Sequence, residues 1–470
     1  MALKFAGQQV AIITDRIRKQ MLQNIFNEAS DSDTNNYYYI GYAKSTEWNA
    51  TDTAPTPENK LREEKQFRYN LQSVKAIEGF SYVVPRFNWQ SGSIYQPYDD
   101  NVSGHPSQSY YVLTEDNNVY LCVRQGRTTT GAAQASSDKP DHTDTSLPVE
   151  NDGYVWKYLY TLTSNDQNRF TTANYMPVKY VDSAASTDPE YGQYVIQQAA
   201  KPGQIVGFNI ISGGTGYTNE GSLVITINGD GAGAKARGII NTATNSIADV
   251  QIADSAGGYP MGINYNKATV TVSGGGSNAT GANIKPIFAP KNGLGADPRD
   301  DLRSTALMMN IKPAGGVEVD GEDKFILGNS FRQVGLLKNI YDSANGSLFT
   351  AEAGSALMKA HFTSSPSGGD NEFAANVVIT GDNTGAQAYV DYFLDSGNGK
   401  IWYHQDESTG FVDFGKENVV DSDGTQAIIS SFDSPDFDAF TGELLYIDNR
   451  PTAIPRSADQ TEDVKVVIQL

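Results

Sequence analysis

Between residues 8 and 29, apolar side chains fall at Val10, Ile13, Ile17, Met21, Leu22, Ile25 and Phe26. Spacings of three and four draw one stripe along a helix, with Arg16, Arg18, Lys19 and Gln23 largely off it. The pattern predicts an amphipathic helix over 8–29 that packs its stripe on the chain's own sheet, with docking on a partner subunit as the alternative. Beyond it the period changes. Tyr37-Tyr-Tyr-Ile-Gly-Tyr42, Tyr82-Val-Val-Pro85, Tyr110-Tyr-Val-Leu113, and the stretches 119–123 and 154–162 are short runs of aromatic and β-branched residues, which suit half-buried pleated strands. A weakly helical stretch is expected over 60–77. Long polar segments separate the runs. Residues 124–152 are mostly Gly, Thr, Ser, Asp and Pro, too poor in apolar surface to order themselves by burial, and are expected to lie against something else.

Near Lys201 the composition turns glycine-rich and stays so to about Pro290, with an echo later. Val224-Ile-Thr-Ile-Asn-Gly-Asp-Gly-Ala-Gly-Ala, Val270-Thr-Val-Ser-Gly-Gly-Gly-Ser-Asn-Ala-Thr-Gly-Ala and Val377-Val-Ile-Thr-Gly-Asp-Asn-Thr-Gly-Ala-Gln-Ala each read as a strand running into a glycine turn. Glycine supplies the positive φ of such turns, and the alternation ahead of it gives each strand one buried face. Gly213-Gly-Thr-Gly-Tyr217 and Gly257-Gly-Tyr259 precede the first two copies, which suggests a duplicated unit. The organisation expected is an N-terminal core part (1–190), an inserted Gly-rich β module (191–295), a return to the core (296–345), a second inserted module (346–430) and C-terminal core strands (431–470).

The length of 470 residues supports that division, because single cores stop growing at roughly 250–300 residues. No apolar run approaches the roughly 20 residues that cross a bilayer. The opening Met1-Ala-Leu-Lys-Phe-Ala-Gly-Gln-Gln reaches polar residues too soon for a secretory signal, so residence in a cytoplasm is expected. The formal net charge of −20 disfavours nucleic acid and anionic membrane as partners, since both attract Lys and Arg. The single cysteine, Cys122, lies in a strand-like run and reads as a buried thiol.

The chemistry sought in the sequence is mostly missing, and no catalytic, cofactor-binding or metal residue is assigned. His105, His142, His361 and His404 are far apart, and His105 and His142 lie in polar loops where a solvated imidazole is expected. No G-x-S-x-G elbow or Cys-His signature supplies a nucleophile. Gly229-Asp-Gly-Ala-Gly233 lacks the Lys-Ser/Thr of a phosphate loop and reads as a turn. Asp31-Ser-Asp-Thr-Asn35 starts like a calcium loop, but Asn36 stands where Gly is needed and Tyr42 where a bidentate Glu belongs; Asp421-Ser-Asp-Gly fails similarly. Acidic candidates for glycoside hydrolysis, among them Glu63, Glu64, Asp99, Asp100, Asp300 and Asp301, are plentiful, but spatial separation decides that chemistry. Trp48, Trp89, Trp156 and Trp402 are candidates for stacking on sugar rings, against the commoner fate of core packing.

Four segments carry a family resemblance. The run Gly442–Leu470 contains Asn449-Arg450-Pro451, Asp459-Gln460-Thr461-Glu462 and a final apolar strand. Val83-Val-Pro-Arg-Phe-Asn-Trp89 is followed by Tyr95-Gln-Pro-Tyr98; then come Asp152-Gly-Tyr-Val-Trp-Lys-Tyr-Leu159 and Gly328-Asn-Ser-Phe-Arg-Gln-Val334. In chain order they resemble the baseplate wedge subunit of T-even-type contractile-tailed bacteriophages, the eighth-gene-product family. The resemblance covers roughly 1–190, 296–345 and 431–470, and leaves the glycine-rich inserts unaccounted for. It implies a mainly β, sandwich-like core with long loops and a few helices, a homodimer, and burial among other wedge subunits in the virion's tail baseplate after assembly in the host cytoplasm. It implies no enzyme activity and no cofactor. The alternative is a phage receptor-binding or glycan-cleaving protein that uses the inserts, through which a host surface glycan is a further candidate contact. From the residues themselves, Pro451 pushes Arg450 toward extended backbone, and Val464, Val466 and Ile468 alternate as a terminal strand should.

Overall fold

A computed structural model describes residues 2–4, 10–12, 15–30, 36–44, 60–254, 256–312, 325–326, 330–455 and 462–470. The chain is mainly β, with few and short helices. Among the described residues no helix is long and apolar enough to cross a membrane. Two compact units form, each from discontinuous chain: the first takes Met1–Asn24, Ser81–Met308 and Val467–Leu470, the second Ile25–Phe80 and Met309–Val466.

In the first unit, Tyr111–Leu113, Asn118–Arg124 and Val155–Thr161 make an antiparallel three-stranded sheet, close to the expected runs. Its core gathers Tyr95, Val112, Tyr120, Cys122, Tyr154, Trp156, Tyr158 and Ile196. A second sheet is ordered 467–469, 306–308, 81–85, 175–178, with Val83, Phe170, Ala306 and Met308 beneath it. The glycine-rich stretch forms nested antiparallel pairs: Ile205–Thr215 with Thr280–Phe288, Val224–Gly229 with Ala268–Ser273, Ala232–Ala234 with Met261–Ile263, and Arg237–Asn241 with Ser246–Gln251. The first two copies of the strand-glycine device are therefore partners in one ladder, Val224 facing Ser273. Ile225, Ile240, Ile247, Val250 and Ile284 supply its core. Gly214, at φ +66°, fits because a Cβ would meet Thr280 O at 2.4 Å.

In the second unit a five-stranded sheet runs in the order Ala353–Ser355, Leu71–Ala76, Tyr38–Ala43, Ser330–Lys338, Glu443–Pro455. Gly335 sits where Phe67 packs underneath, and a Cβ there would lie 2.3 Å from the Phe67 ring. Beside this sheet a closed barrel of six strands forms from Met358–Phe362, Lys400–His404, Gln387–Leu394, Val378–Gly381, Asn418–Val420 and Gln426–Asp433. The barrel is filled by Ala360, Phe362, Phe373, Ile379, Val390, Ile401 and Ile429. The third copy of the strand-glycine device is one of its staves.

Three expectations change. The helix occupies Asp15–Ser30, and Val10–Ile12 instead pairs antiparallel with Ala2–Lys4, in keeping with the extended preference of β-branched Val10 and Ile12. Its stripe is buried only in part: Leu22 is fully covered while Ile17 and Met21 are about half exposed. The stretch 60–77 is helical only over Leu61–Tyr69. Asn70 closes it by donating both backbone N and side-chain Nδ2 to Gln66 O, and Leu71–Ala76 then pairs on both edges within the sheet. The segment 124–152 is ordered by polar contacts rather than apolar burial. Asp152 Oδ2 accepts from Ser136 Oγ, Ser137 N and Asp138 N, while Oδ1 accepts from Tyr154 N.

Candidate functional site

The four motif segments converge in two pairs. In the first unit, Tyr95 N donates to Tyr154 Oη at 3.2 Å, and Tyr154 Oη in turn donates to Gln134 O at 2.7 Å. Tyr154 and Trp156 stack nearly parallel at 5.6 Å, and Tyr95 meets Trp156 edge-on at 5.3 Å. Trp89 Nε1 donates to Ser136 Oγ, on the loop that Asp152 holds. In the second unit, Phe331 stacks flat on Tyr42 at 4.2 Å, and Gln333 pairs in register with Asn449. These residues serve internal packing, and Arg450 makes an exposed 3.7 Å ion pair with Asp448.

The sequence-level candidates for chemistry are scattered. His361 Nε2 pairs with Asp433 at the surface, and His105 Nδ1 with Thr305 Oγ1. Neither His105 nor His142 is a solvated imidazole: both are partly covered, and burial pushes the pKa of each down. His142 packs on Tyr120 at 5.5 Å. Asp99 accepts from Asn101, Asp100 from Phe288 N, Glu64 from Arg68, and Asp300 pairs with Lys19. Asp301 is fully buried, which drives its carboxyl pKa well up; Oδ2 accepts from Gly295 N. Trp156 and Trp402 are interior, so neither offers a face to a sugar. Gly229–Gly233 joins two strands and opens no helix. Asp421 Oδ1 accepts from Asp423 N and Thr425 N, closing a tight turn. Cys122 is fully buried, and burial raises its thiol pKa. Trp48, Asp31–Asn35 and Asp459 lie outside the described residues. Among the described residues no group of three or more His, Cys, Asp or Glu side chains is placed to hold a metal ion.

Two cavities stand out. The larger, about 930 Å³, is lined in the first unit by Leu147, Lys157, Lys201, Asp254, Met261 and Leu294. Lys157 is 9 % exposed, and its burial lowers the ammonium pKa, with Asp301 opposing.

The smaller, about 360 Å³, opens in the second unit between the helix Leu61–Tyr69 and the barrel end that carries Tyr403, His404 and Gln405. Phe411 and Phe440, 55 % and 58 % exposed, stand at 4.8 and 5.5 Å from the Tyr69 ring. Both are held from behind. Arg68, 5 % exposed, donates to Ala439 O, Thr441 O and Gly442 O while Glu64 accepts from its Nε and Nη2. Gln405 Nε2 donates to Gln387 O and Val412 O, tying down the turn that presents Phe411.

His404 is positioned in the same wall. Its Nδ1 shares a 2.6 Å hydrogen bond with Asp391 Oδ2, Lys44 Nζ lies 3.3 Å from Asp391 Oδ1, and Tyr389 stacks on the imidazole. Complete burial opposes ionisation of Asp391, yet His404 and Lys44 together hold its carboxyl below the ordinary value. The other imidazole nitrogen, Nε2, makes no hydrogen bond among the described residues. Sequence reading sought stacking at the tryptophans and passed over Tyr69, Phe411 and Phe440. The available signal was a large apolar residue inside an otherwise polar turn, Ser408-Thr-Gly-Phe-Val412 and Asp438-Ala-Phe-Thr441.

Compared with models of protein families, the chain matches none, and a search of curated proteins returned no match.

Proposed function

We propose that this chain is a noncatalytic structural subunit of a phage tail baseplate wedge, joining neighbouring wedge proteins and rearranging with them on tail contraction. The reading rests on the ordered resemblance of four segments to that family. The observation that carries it is their pairwise convergence: segments far apart in sequence meet as Tyr95 with Tyr154 and Trp156, and as Gln333 with Asn449. Segments that specify a common frame must do this, whereas segments that build an active site would gather unpaired polar groups around a cavity.

The surface suits the role. Large exposed side chains, among them Ile17, Leu61, Ile94, Tyr180, Tyr191 and Leu445, supply apolar area that an interface of about 1,200–2,000 Å² would cover. Most of the 26 tyrosines are buried in the cores, and the exposed Tyr180, Tyr191 and Tyr341 add amphipathic contact area. Light scattering on the purified chain tests the reading: a mass of twice the monomer is expected, and a stable monomer at micromolar concentration contradicts the dimer that the family implies.

A further inference from the structure

We infer that the Tyr69–Phe411–Phe440 cleft is a binding site for a neutral saccharide. The inference stands apart from the assembly reading, since it uses only the cleft's own chemistry.

Exposed aromatic side chains in mobile loops are common and carry no meaning singly. Here two of them are fixed. Arg68 commits three backbone hydrogen bonds to residues 439–442, around Phe440, and Gln405 commits one to the carbonyl of Val412, next to Phe411. Phe440 N also donates to Asp438 Oδ1 at 2.8 Å. Rigid aromatic faces beside a cavity lose little freedom on binding, which is what preorganisation means energetically.

Polar groups around the same cleft have capacity left. His404 Nε2, the Tyr69 and Tyr403 hydroxyls and Gln405 Oε1 make no hydrogen bond among the described residues, although each residue lines the cleft. His404 is 8 % exposed and locked from behind by Asp391, so its free nitrogen is held in place. A pyranose unit offers an apolar C–H face for the aromatic rings and a rim of hydroxyls for those groups. The volume of about 360 Å³ lies at the small end of the roughly 300–1,000 Å³ typical of ligand sites. Charge selects among sugars. Among the described residues that line the cleft, the one cation, Arg68, is satisfied by Glu64 and by carbonyls, and the chain carries −20 overall, which favours a neutral sugar over an acidic one.

Saturation-transfer NMR on the full chain, with maltohexaose, laminarihexaose, cellohexaose and N-acetylchitohexaose as probes, tests the inference. At least one probe is expected to receive magnetisation. The double variant Phe411→Ala/Phe440→Ala is expected to weaken that binding by about tenfold or more, in line with one stacking contact of roughly 1.4 kcal/mol. Both positions are solvent-facing, and an unchanged thermal melt verifies that the variant is folded. Phe411→Trp, which enlarges the stacking face, is expected to keep or tighten binding. Binding of none of the four probes overturns the inference, as does equal binding by the double variant. A double variant that binds no probe differently but changes the chain's mass in light scattering assigns the patch to a protein partner, and overturns it too.

Discussion

Gln333 and Asn449 face each other across antiparallel strands, and Gln333 Nε2 donates to Asn449 Oδ1 at 2.8 Å. Directly beyond them the register jumps to Phe331 opposite Ile454, so that Arg332 alone spans residues 450–453. Pro451 falls in this bulge, and proline has no N–H to offer a ladder. The Asn-Arg-Pro motif is thus where the strand leaves regular pairing, and the Gln333–Asn449 bond pins the last regular step. Removing either side chain as Gln333→Ala or Asn449→Ala should destabilise the chain by about 1 kcal/mol. The double variant should lose less than the sum, because the two changes delete one bond. Urea unfolding of the four proteins measures this, and strict additivity would show that the pair does not act as a unit.

Asp152 organises the polar segment before it through four hydrogen bonds to one carboxylate. Asp152→Ala leaves two backbone amides of that segment, at Ser137 and Asp138, without their acceptor. A loss of about 2–4 kcal/mol is expected, as bonds to a charged group contribute roughly 1.5–3 kcal/mol each and water recovers part. Limited proteolysis should then cut within 134–141 in the variant and spare it in the wild type.

Glu417 sets an acid limit on the barrel. Burial works against its ionisation, but the Thr384 hydroxyl and the amides of Thr384, Gly415 and Asn383 all donate to the carboxylate and hold its pKa down at about 2. The folded value lies below the ordinary 4.5. Its stabilisation is therefore complete above about pH 4.5 and disappears as pH falls toward 2. Glu417→Gln should be less stable than wild type at neutral pH, and the difference should narrow across that window. Parallel denaturant titrations at pH 7 and pH 3 measure it; a pH-independent difference would contradict the assignment.

Arg68 fixes the 439–442 turn with bonds to three carbonyls. Arg68→Lys keeps the charge but not the planar fork, so it cannot reproduce all three bonds. Both Arg68→Lys and Arg68→Ala should destabilise, the alanine variant by about 3 kcal/mol. Amide hydrogen exchange at 439–442 should rise in each, with the barrel strands unaffected.

Local signals carried the strands well. The runs at 37–42, 82–85, 110–113 and 119–123 all became strands, because aromatic and β-branched residues there are also the ones that fill the cores. The 60–77 stretch misled, since nothing local in Leu71–Ala76 announces a strand that two neighbours pair from either side. The glycine-rich copies were legible as strand-then-turn, but not that Val224–Gly229 and Ala268–Ser273 would pair with each other. That pairing is nonlocal. The cleft was hidden for a related reason. Tyr69, the stretch His404–Phe411 and Phe440 come from three places in the chain, and closure of the barrel beside the sheet assembles them.

Cryo-electron microscopy of intact particles purified from cells that express this chain, read at a resolution that traces side chains, tests the proposed place in a baseplate most directly. If the proposal holds, density for this fold lies in a tail baseplate, in contact with wedge proteins, with different neighbours or contacts in extended and contracted tails. Density elsewhere in the virion, or none, would contradict it.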